Sequence, residues 1–207
     1  VGSEMCIRDR GVIASDLREG DFMEHLFIAN THDYMVYFTN RGRAFWLKVY
    51  ELPEMRRTAT GRALVNLLNL DEGERVTSLF PVREFGERDS FLFMATARGR
   101  VKRLSLGELG KTSSGGLYVF RLDENDQLIS VRRTDGRREI ILGTLRGRAI
   151  RFPEARVRPQ GRTATGVRGI RLRSGDEIVV SGKVSQRGWR PQFTSPEFSP
   201  VGHESIH

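Results

Sequence analysis

Three short elements of this 207-residue chain repeat one chemistry: Thr39-Asn40-Arg41-Gly42-Arg43, Thr96-Ala97-Arg98-Gly99-Arg100 and Thr144-Leu145-Arg146-Gly147-Arg148. All read T-x-R-G-R, and their glycines are 57 and then 48 residues apart. A guanidinium is planar, permanently charged and forked in a way that matches phosphate. Two of them about a glycine in a tight turn suit phosphates spaced along a bent duplex, contacts that position nucleic acid without reading its sequence. Polarity alone would also place arginine in a surface turn, so the weight lies on the set rather than on any one member. The candidates are Arg41, Arg43, Arg98, Arg100, Arg146 and Arg148, expected to project into solvent at hairpin tips. Loop cations add Arg56, Arg57 and Arg62, then Lys111, then Arg156, Arg158, Arg162 and Arg168, some of them expected to pair with Glu51, Glu54, Glu108 or Glu154. Lys48, Lys102, Arg103 and Arg151 follow the turns and either face the same rim or bridge neighbouring units.

Other reactive side chains form no comparable set. His25 and His32 are seven residues apart with no cysteine or third histidine nearby, so no metal site is expected. Asp123, Glu124 and Asp126 cluster without a base, nucleophile or phosphate loop beside them, so no catalytic constellation and no cofactor is expected in this chain. Tyr34, Phe45, Trp46, Phe91 and Phe93 have rings that stack on unpaired bases in some proteins, but in apolar runs they are expected to be core. The single cysteine, Cys6, cannot form an internal disulfide, which fits a reducing compartment.

Composition agrees with a polyanionic partner. The net charge is +8 and the sequence pI about 10.3, from 34 Lys+Arg against 26 Asp+Glu. Only Lys48, Lys102, Lys111 and Lys183 are lysines. An acidic protein or membrane surface, or a GC-rich coding sequence, also accounts for an arginine excess. Hydrophobic residues make up 38%, charged residues 29%, and mean hydropathy is -0.41. No apolar run reaches the ~18 residues of a membrane helix, so no membrane partner is expected.

A second marker organises the chain around these turns. Leu17-x-x-Gly20-Asp21, Leu70-x-x-Gly73-Glu74, Leu122-x-x-Asn125-Asp126 and Leu172-x-x-Gly175-Asp176 recur with leucines 53, 52 and 50 residues apart. Glycine and asparagine both tolerate positive φ, so Asn125 preserves the turn. Two markers at one period in constant order define repeats of roughly 50 residues. Each repeat reads as four strands. The first runs are residues 25–29, 76–82 and 128–131, and the second 34–38, 91–95 and 139–142. The third leave the R-G-R turns over 44–49, 101–106 and 149–152, with a bulge expected where Lys102-Arg103 breaks the alternation. The fourth are 63–68, 117–122 and 167–172. The fold class is therefore all-β and propeller-like: a partial blade over 11–21, full blades near 22–75, 76–126 and 127–177, and the first strand of another at 177–180. Residues 1–10 have no pattern and read as a foreign leader or scar. Residues 182–207, with Pro191, Pro196 and Pro200, read as an unpatterned tail, disordered or frameshifted.

At these residues the sequence resembles the C-terminal domain of DNA gyrase A subunits. Ile28-Ala29-Asn30-Thr31-His32-Asp33-Tyr34, Arg41-Gly42-Arg43, residues 48–54, Val65-Asn66-Leu67-Leu68 and residues 157–172 carry the likeness, over residues 11–181. The resemblance implies a six-bladed β-pinwheel whose basic rim bends duplex DNA around itself and supports ATP-dependent negative supercoiling. It implies the rest of gyrase A and gyrase B as partners in a bacterial cytoplasm, at the nucleoid. The cleaving tyrosine, ATP and Mg sites would lie on other parts of that complex, leaving this chain non-catalytic alone. The family's QRRGGKG box would fall at residues 5–11, which read M-C-I-R-D-R-G; Arg10 and Gly11 are its remnant, so DNA binding is expected without efficient wrapping. The equivalent domain of topoisomerase IV, which shares the blades but generally lacks a well-formed box, is the near alternative. A protein-binding propeller is the alternative of another class; it would show an apolar blade edge rather than repeated cationic turns. Blades cut from a larger ring expose unpaired edges, so association or marginal stability is expected.

Overall fold

The computed structural model describes residues 26–56, 61–110, 116–185 and 188–193. They form three four-stranded antiparallel sheets. Each is built on a hairpin closed by an R-G-R turn: β1 (Tyr34–Thr39) with β2 (Arg43–Lys48), β4 (Phe91–Thr96) with β5 (Arg100–Ser105), and β8 (Glu139–Thr144) with β9 (Ala149–Pro153). The partners of each hairpin come from the next repeat. β3 (Val76–Val82) and the two-residue β6 (Leu117–Tyr118) flank the first, giving the order β3-β1-β2-β6. β7 (Leu128–Thr134) and β10 (Val167–Arg168) flank the second, giving β10-β5-β4-β7. The third is β12-β11-β8-β9, with β11 (Ile178–Ser185) and β12 (Gly188–Phe193). A sequence repeat is thus not a sheet: its middle hairpin founds one sheet while its outer strands complete the sheet before.

β3, β7 and β11 lie side by side on the inner edge, where the Val131 amide donates to Ser78 Oγ at 3.0 Å. The short strands β6 and β10 form the outer edge. Between the sheets both faces are buried, so the central strands are continuous apolar runs rather than alternating ones. Val36, Phe38 and Trp46 face Leu92, Met94 and Leu104 of the second sheet. From its opposite face, Phe93, Ala95 and Val101 meet Ile140, Leu142 and Phe152 of the third. Phe45, Trp46 and Phe93 are buried, as expected of blade core.

The structure departs from several expectations. Residues 26–30 form no strand, and His25 lies outside the described residues. Residues 63–68 hold a 3-10 turn, Leu64–Asn66, because Leu64, Leu67 and Leu68 instead cover the open face of the first sheet with Met35, Tyr37 and Phe45. The strands expected at 117–122 and 167–172 shrink to two residues each. No bulge occurs at Lys102-Arg103; the β4–β5 register is unbroken there, and the irregularities fall at Phe38/Thr39, Ala95/Thr96 and Ile178/Val180. Lys102 needs no bulge because its buried ammonium finds three backbone acceptors. Order also continues past the expected end at 181: β11 runs to Ser185, and Val180↔Phe193 through Ser185↔Gly188 pair antiparallel. The partial blade at 11–21, Arg10, Gly11, Arg57, Lys111 and residues 194–207 lie outside the described residues.

Candidate nucleic-acid interface

Glycine conformation shapes the R-G-R turns. Gly42, Gly99 and Gly147 have φ of +74, +83 and +73, and each donates its amide back to Thr39, Thr96 or Thr144 O at 3.0, 3.1 and 3.0 Å. The second marker folds back beneath the first. Its turn residues Gly73, Asn125 and Gly175 have φ of +72, +59 and +71, the conformation expected of asparagine in place of glycine. Its acid then caps the R-G-R turn: Asp126 Oδ1 accepts from the Arg98 amide at 2.9 Å, and Asp176 Oδ1 from the Arg146 amide at 3.1 Å. At Asp176 slight burial pushes the carboxyl up. The amides of Arg146 and Glu177, the Thr144 hydroxyl and the Arg146 charge outweigh it and hold the group below its usual range.

Backbone bonds align the three turns along one edge. Asn40 O accepts from Leu128 N at 2.9 Å, and the Ala97 amide donates to the adjoining Gln127 O at 2.9 Å. Ala97 O in turn accepts from Ile178 N, and Leu145 N donates to Glu177 O, both at 2.9 Å. The turns are therefore stitched in sequence through residues 127–128 and 177–178. Along this edge Arg41, Arg98, Arg146 and Arg148 are exposed. Arg41 leans on the edge's own acid, with Nη1 3.5 Å from Asp71 Oδ2.

The second arginine of each motif meets three different environments. Arg43 is buried, contrary to expectation: its Nη1 lies 2.8 Å from Glu74 Oε2 and 2.9 Å from Asp71 Oδ2, and its guanidinium sits 4.8 Å from the Phe45 ring centroid. As the first residue of β2 it turns inward beneath the turn, where Thr39 Oγ1 also donates to Glu74. Arg100 is half-buried, with Nε 2.8 Å from Asp123 Oδ2. Arg148 is exposed, since no short outer strand lies beside β9 among the described residues.

Of the loop candidates, Arg56, Arg62, Arg156, Arg158 and Arg168 are exposed, and Arg168 stands opposite Arg100 on the outermost strand of the second sheet. Arg162 is half-buried. Lys48 is held at home, its Nζ 2.6 Å from His32 O and 3.5 Å from the Tyr34 ring centroid. Lys102 is fully buried and bridges neighbouring repeats: Nζ donates to Val119 O at 2.8 Å, Arg162 O at 2.7 Å and Ala164 O at 3.0 Å. Burial lowers its pKa to about 8. The sequence reading missed Arg121 and Arg171, both exposed directly after the segments that touch Gly42 and Gly99. The signal was a basic residue before the marker leucine, at Arg121-Leu122 and Arg171-Leu172.

With that geometry in place, known proteins give a consistent comparison. The family described as DNA gyrase C-terminal domain, beta-propeller, matches residues 7–30, 33–83, 90–135 and 138–181. The match begins inside the stretch read as a foreign leader, so residues 7–10 align with the family. The DNA gyrase A protein of Salmonella typhimurium is 48% identical over 172 residues, covering 83% of this chain and 19% of that protein. Its Escherichia coli K12 namesake is 45% identical over 170 residues, covering 82% and 19%. The chain thus spans about a fifth of the length of these relatives. Among solved structures, the C-terminal domain of DNA topoisomerase IV is similar with a TM-score of 0.77 and 29% identity, covering 83% of this chain and 53% of that one. A DNA gyrase A C-terminal domain is similar with a TM-score of 0.65 and 25% identity, covering 86% and 56%. The chain belongs to the DNA gyrase C-terminal domain family of β-propellers.

Proposed function

We propose that this chain holds duplex DNA, with little sequence preference, along the edge that carries the three R-G-R turns, as the DNA-wrapping part of gyrase A. The alignment of the turns through residues 127–128 and 177–178 carries the reading, because it sets Arg41, Arg98, Arg146 and Arg148 in one row. Such a row follows a phosphate backbone and contributes affinity through counterion release. Arg168, Arg158, Arg121 and Arg171 extend the cationic surface toward the outer edge of the sheets. Gyrase is favoured over topoisomerase IV by sequence, at 48% identity against 29%, although the topoisomerase IV domain has the higher TM-score. Identity weighs more here because the two families share the blade architecture. In the intact enzyme this part would present bent DNA to a cleavage core formed with gyrase B, where ATP and Mg act, in the bacterial cytoplasm. This chain would supply contacts and no reacting group.

Binding and wrapping separate experimentally. The chain should bind unrelated duplexes with similar affinity that falls steeply with salt. Relaxed nicked circles religated with the chain alone should keep their linking number, since bending costs about 1–6 kcal/mol for modest arcs and needs contacts along the whole path. Restoring QRRGGKG at residues 5–11 together with additional blades should shift it. Absence of duplex binding at low salt would refute the proposal.

A further inference from the structure

The outer edges of the three sheets are finished differently. On the second sheet, residues 159–170 of the next repeat lie along the whole length of β5. Pro159 bridges Arg103, the Gln160 amide donates to Arg103 O at 2.8 Å, and Arg162 O and Ala164 O receive Lys102 Nζ. Val167 and Arg168 then pair with Val101 and Arg100, and the Gly169 amide closes on Gly99 O at 2.8 Å. The first sheet ends the same way, with the amides of Val119 and Phe120 on Gly42 O at 2.9 and 3.2 Å. A Cβ on Gly42 would come within 2.4 Å of Phe120 O, and one on Gly99 within 3.1 Å of Ile170 O.

On the third sheet, among the described residues, this edge is bare. β9 is terminal in the sheet, and nothing lies within 4 Å of a Cβ on Gly147. Ala149 is exposed where its counterparts Ala44 and Val101 are fully buried. Ile150 is 37% exposed where Phe45 and Lys102 are buried. The covering segment nevertheless occurs in this chain a further time. Residues 162–166 read Arg-Thr-Ala-Thr-Gly, and so do residues 57–61. Gly61 and Gly166 share the left-handed conformation, at φ +81 and +73. Gly166 is packed, a Cβ there falling 2.6 Å from Val101 O, whereas Gly61 has nothing within 4 Å. Residues 53–56 and 61–63 beside it are exposed, as is Val65.

We infer that the free outer edge of β9 is a docking strip for residues 53–65 of a second copy of this chain, joining copies head to tail. Strand addition of this kind draws affinity from backbone bonds along the edge and specificity from the close glycine contacts. Because the two surfaces differ, the contact is heterologous: copies close into a ring or extend, according to the rotation between them.

By the register of Val167 on Val101, Arg62 of one copy should stand opposite Ala149 of the other. In a Cys6→Ser background, a mixture of Ala149→Cys and Arg62→Cys chains should form a mixed disulfide. Ala149→Cys mixed with Glu84→Cys, exposed at the other end of the sheets, should not. A peptide of residues 160–170 should suppress the mixed disulfide by occupying the strip. Independently, sedimentation of the unsubstituted chain should show mass rising with concentration across the micromolar range. A chain that stays monomeric and gives no mixed disulfide overturns the inference and leaves the strip to a repeat continuing in the same polypeptide. Equal cross-linking of the Glu84 control overturns it as well, by showing unspecific edge aggregation.

Discussion

Alanine replacement of the second arginine in each R-G-R motif should give three different results, although the motif is the same. Arg43→Ala removes the cation from Glu74, whose side chain is fully buried. The carboxylate would keep only the Thr39 hydroxyl and the Asp71 amide as partners. Breaking a buried pair from one side costs about 3–5 kcal/mol, most of it the uncompensated charge left behind. Arg100 pairs with Asp123 in a setting where their side chains are 36% and 47% exposed, so its loss costs about 0.5 kcal/mol. Arg148 is an exposed turn residue, and its loss stays within about 0.5 kcal/mol. Urea unfolding followed by Trp46 fluorescence reads all three as midpoint shifts at constant slope. Glu74→Gln placed on Arg43→Ala should recover part of the loss, because it neutralises the orphaned charge. On DNA the order reverses: Arg148→Ala should remove about 0.9 from the salt slope, while Arg43→Ala leaves the folded fraction's binding intact. Equal stability of the three variants, or a DNA defect in Arg43→Ala without a stability loss, would refute this reading of the turn.

Two further outcomes follow from the same packing. Gly147→Ala should cost about 1–2 kcal/mol for its left-handed backbone alone, whereas Gly42→Ala should cost clearly more, because its Cβ would also meet Phe120 O at 2.4 Å; paired urea midpoints decide this. Lys102 titrates at about 8 when folded against 10.5 when free, so between those values the unfolded chain holds the extra proton and stability should rise with pH. Tyr37, raised above 10.0 by burial, works in the opposite direction only beyond pH 10, so midpoints at pH 7.5 and 9.5 isolate Lys102. A flat or falling midpoint would mean that the three carbonyl bonds outweigh burial.

The turns were the most legible part of the sequence, since positive φ restricts the residue type: glycine at 42, 99 and 147, and asparagine at 125, mark their conformations directly. The exchange of strands between repeats was not legible. Val76–Val82 has the same apolar character whether it pairs within its own repeat or with the hairpin before it. The fate of residues 63–68 was hidden for a related reason, because leucines that cover a sheet face look like leucines of a strand. At the candidate site, charge and spacing marked the row of arginines, yet nothing local separates Arg43 from Arg148. The difference arises from Glu74 and from β6, elements 31 or more residues away that reach only the first of them. Lys102 illustrates the converse: a lysine that reads as surface charge is a buried clamp, because the carbonyls that satisfy it come from the following repeats.

DNA lying along the row of exposed turn arginines is the central claim, and the salt dependence of the variant Arg41→Ala/Arg98→Ala/Arg146→Ala/Arg148→Ala tests it most directly. All four side chains are exposed, so the fold should survive. If each meets one phosphate, the slope of log K against log salt should flatten by roughly 3–4, with equal weakening on unrelated duplexes. Unchanged affinity and slope in a folded variant would contradict the claim and place the DNA on another surface of the sheets.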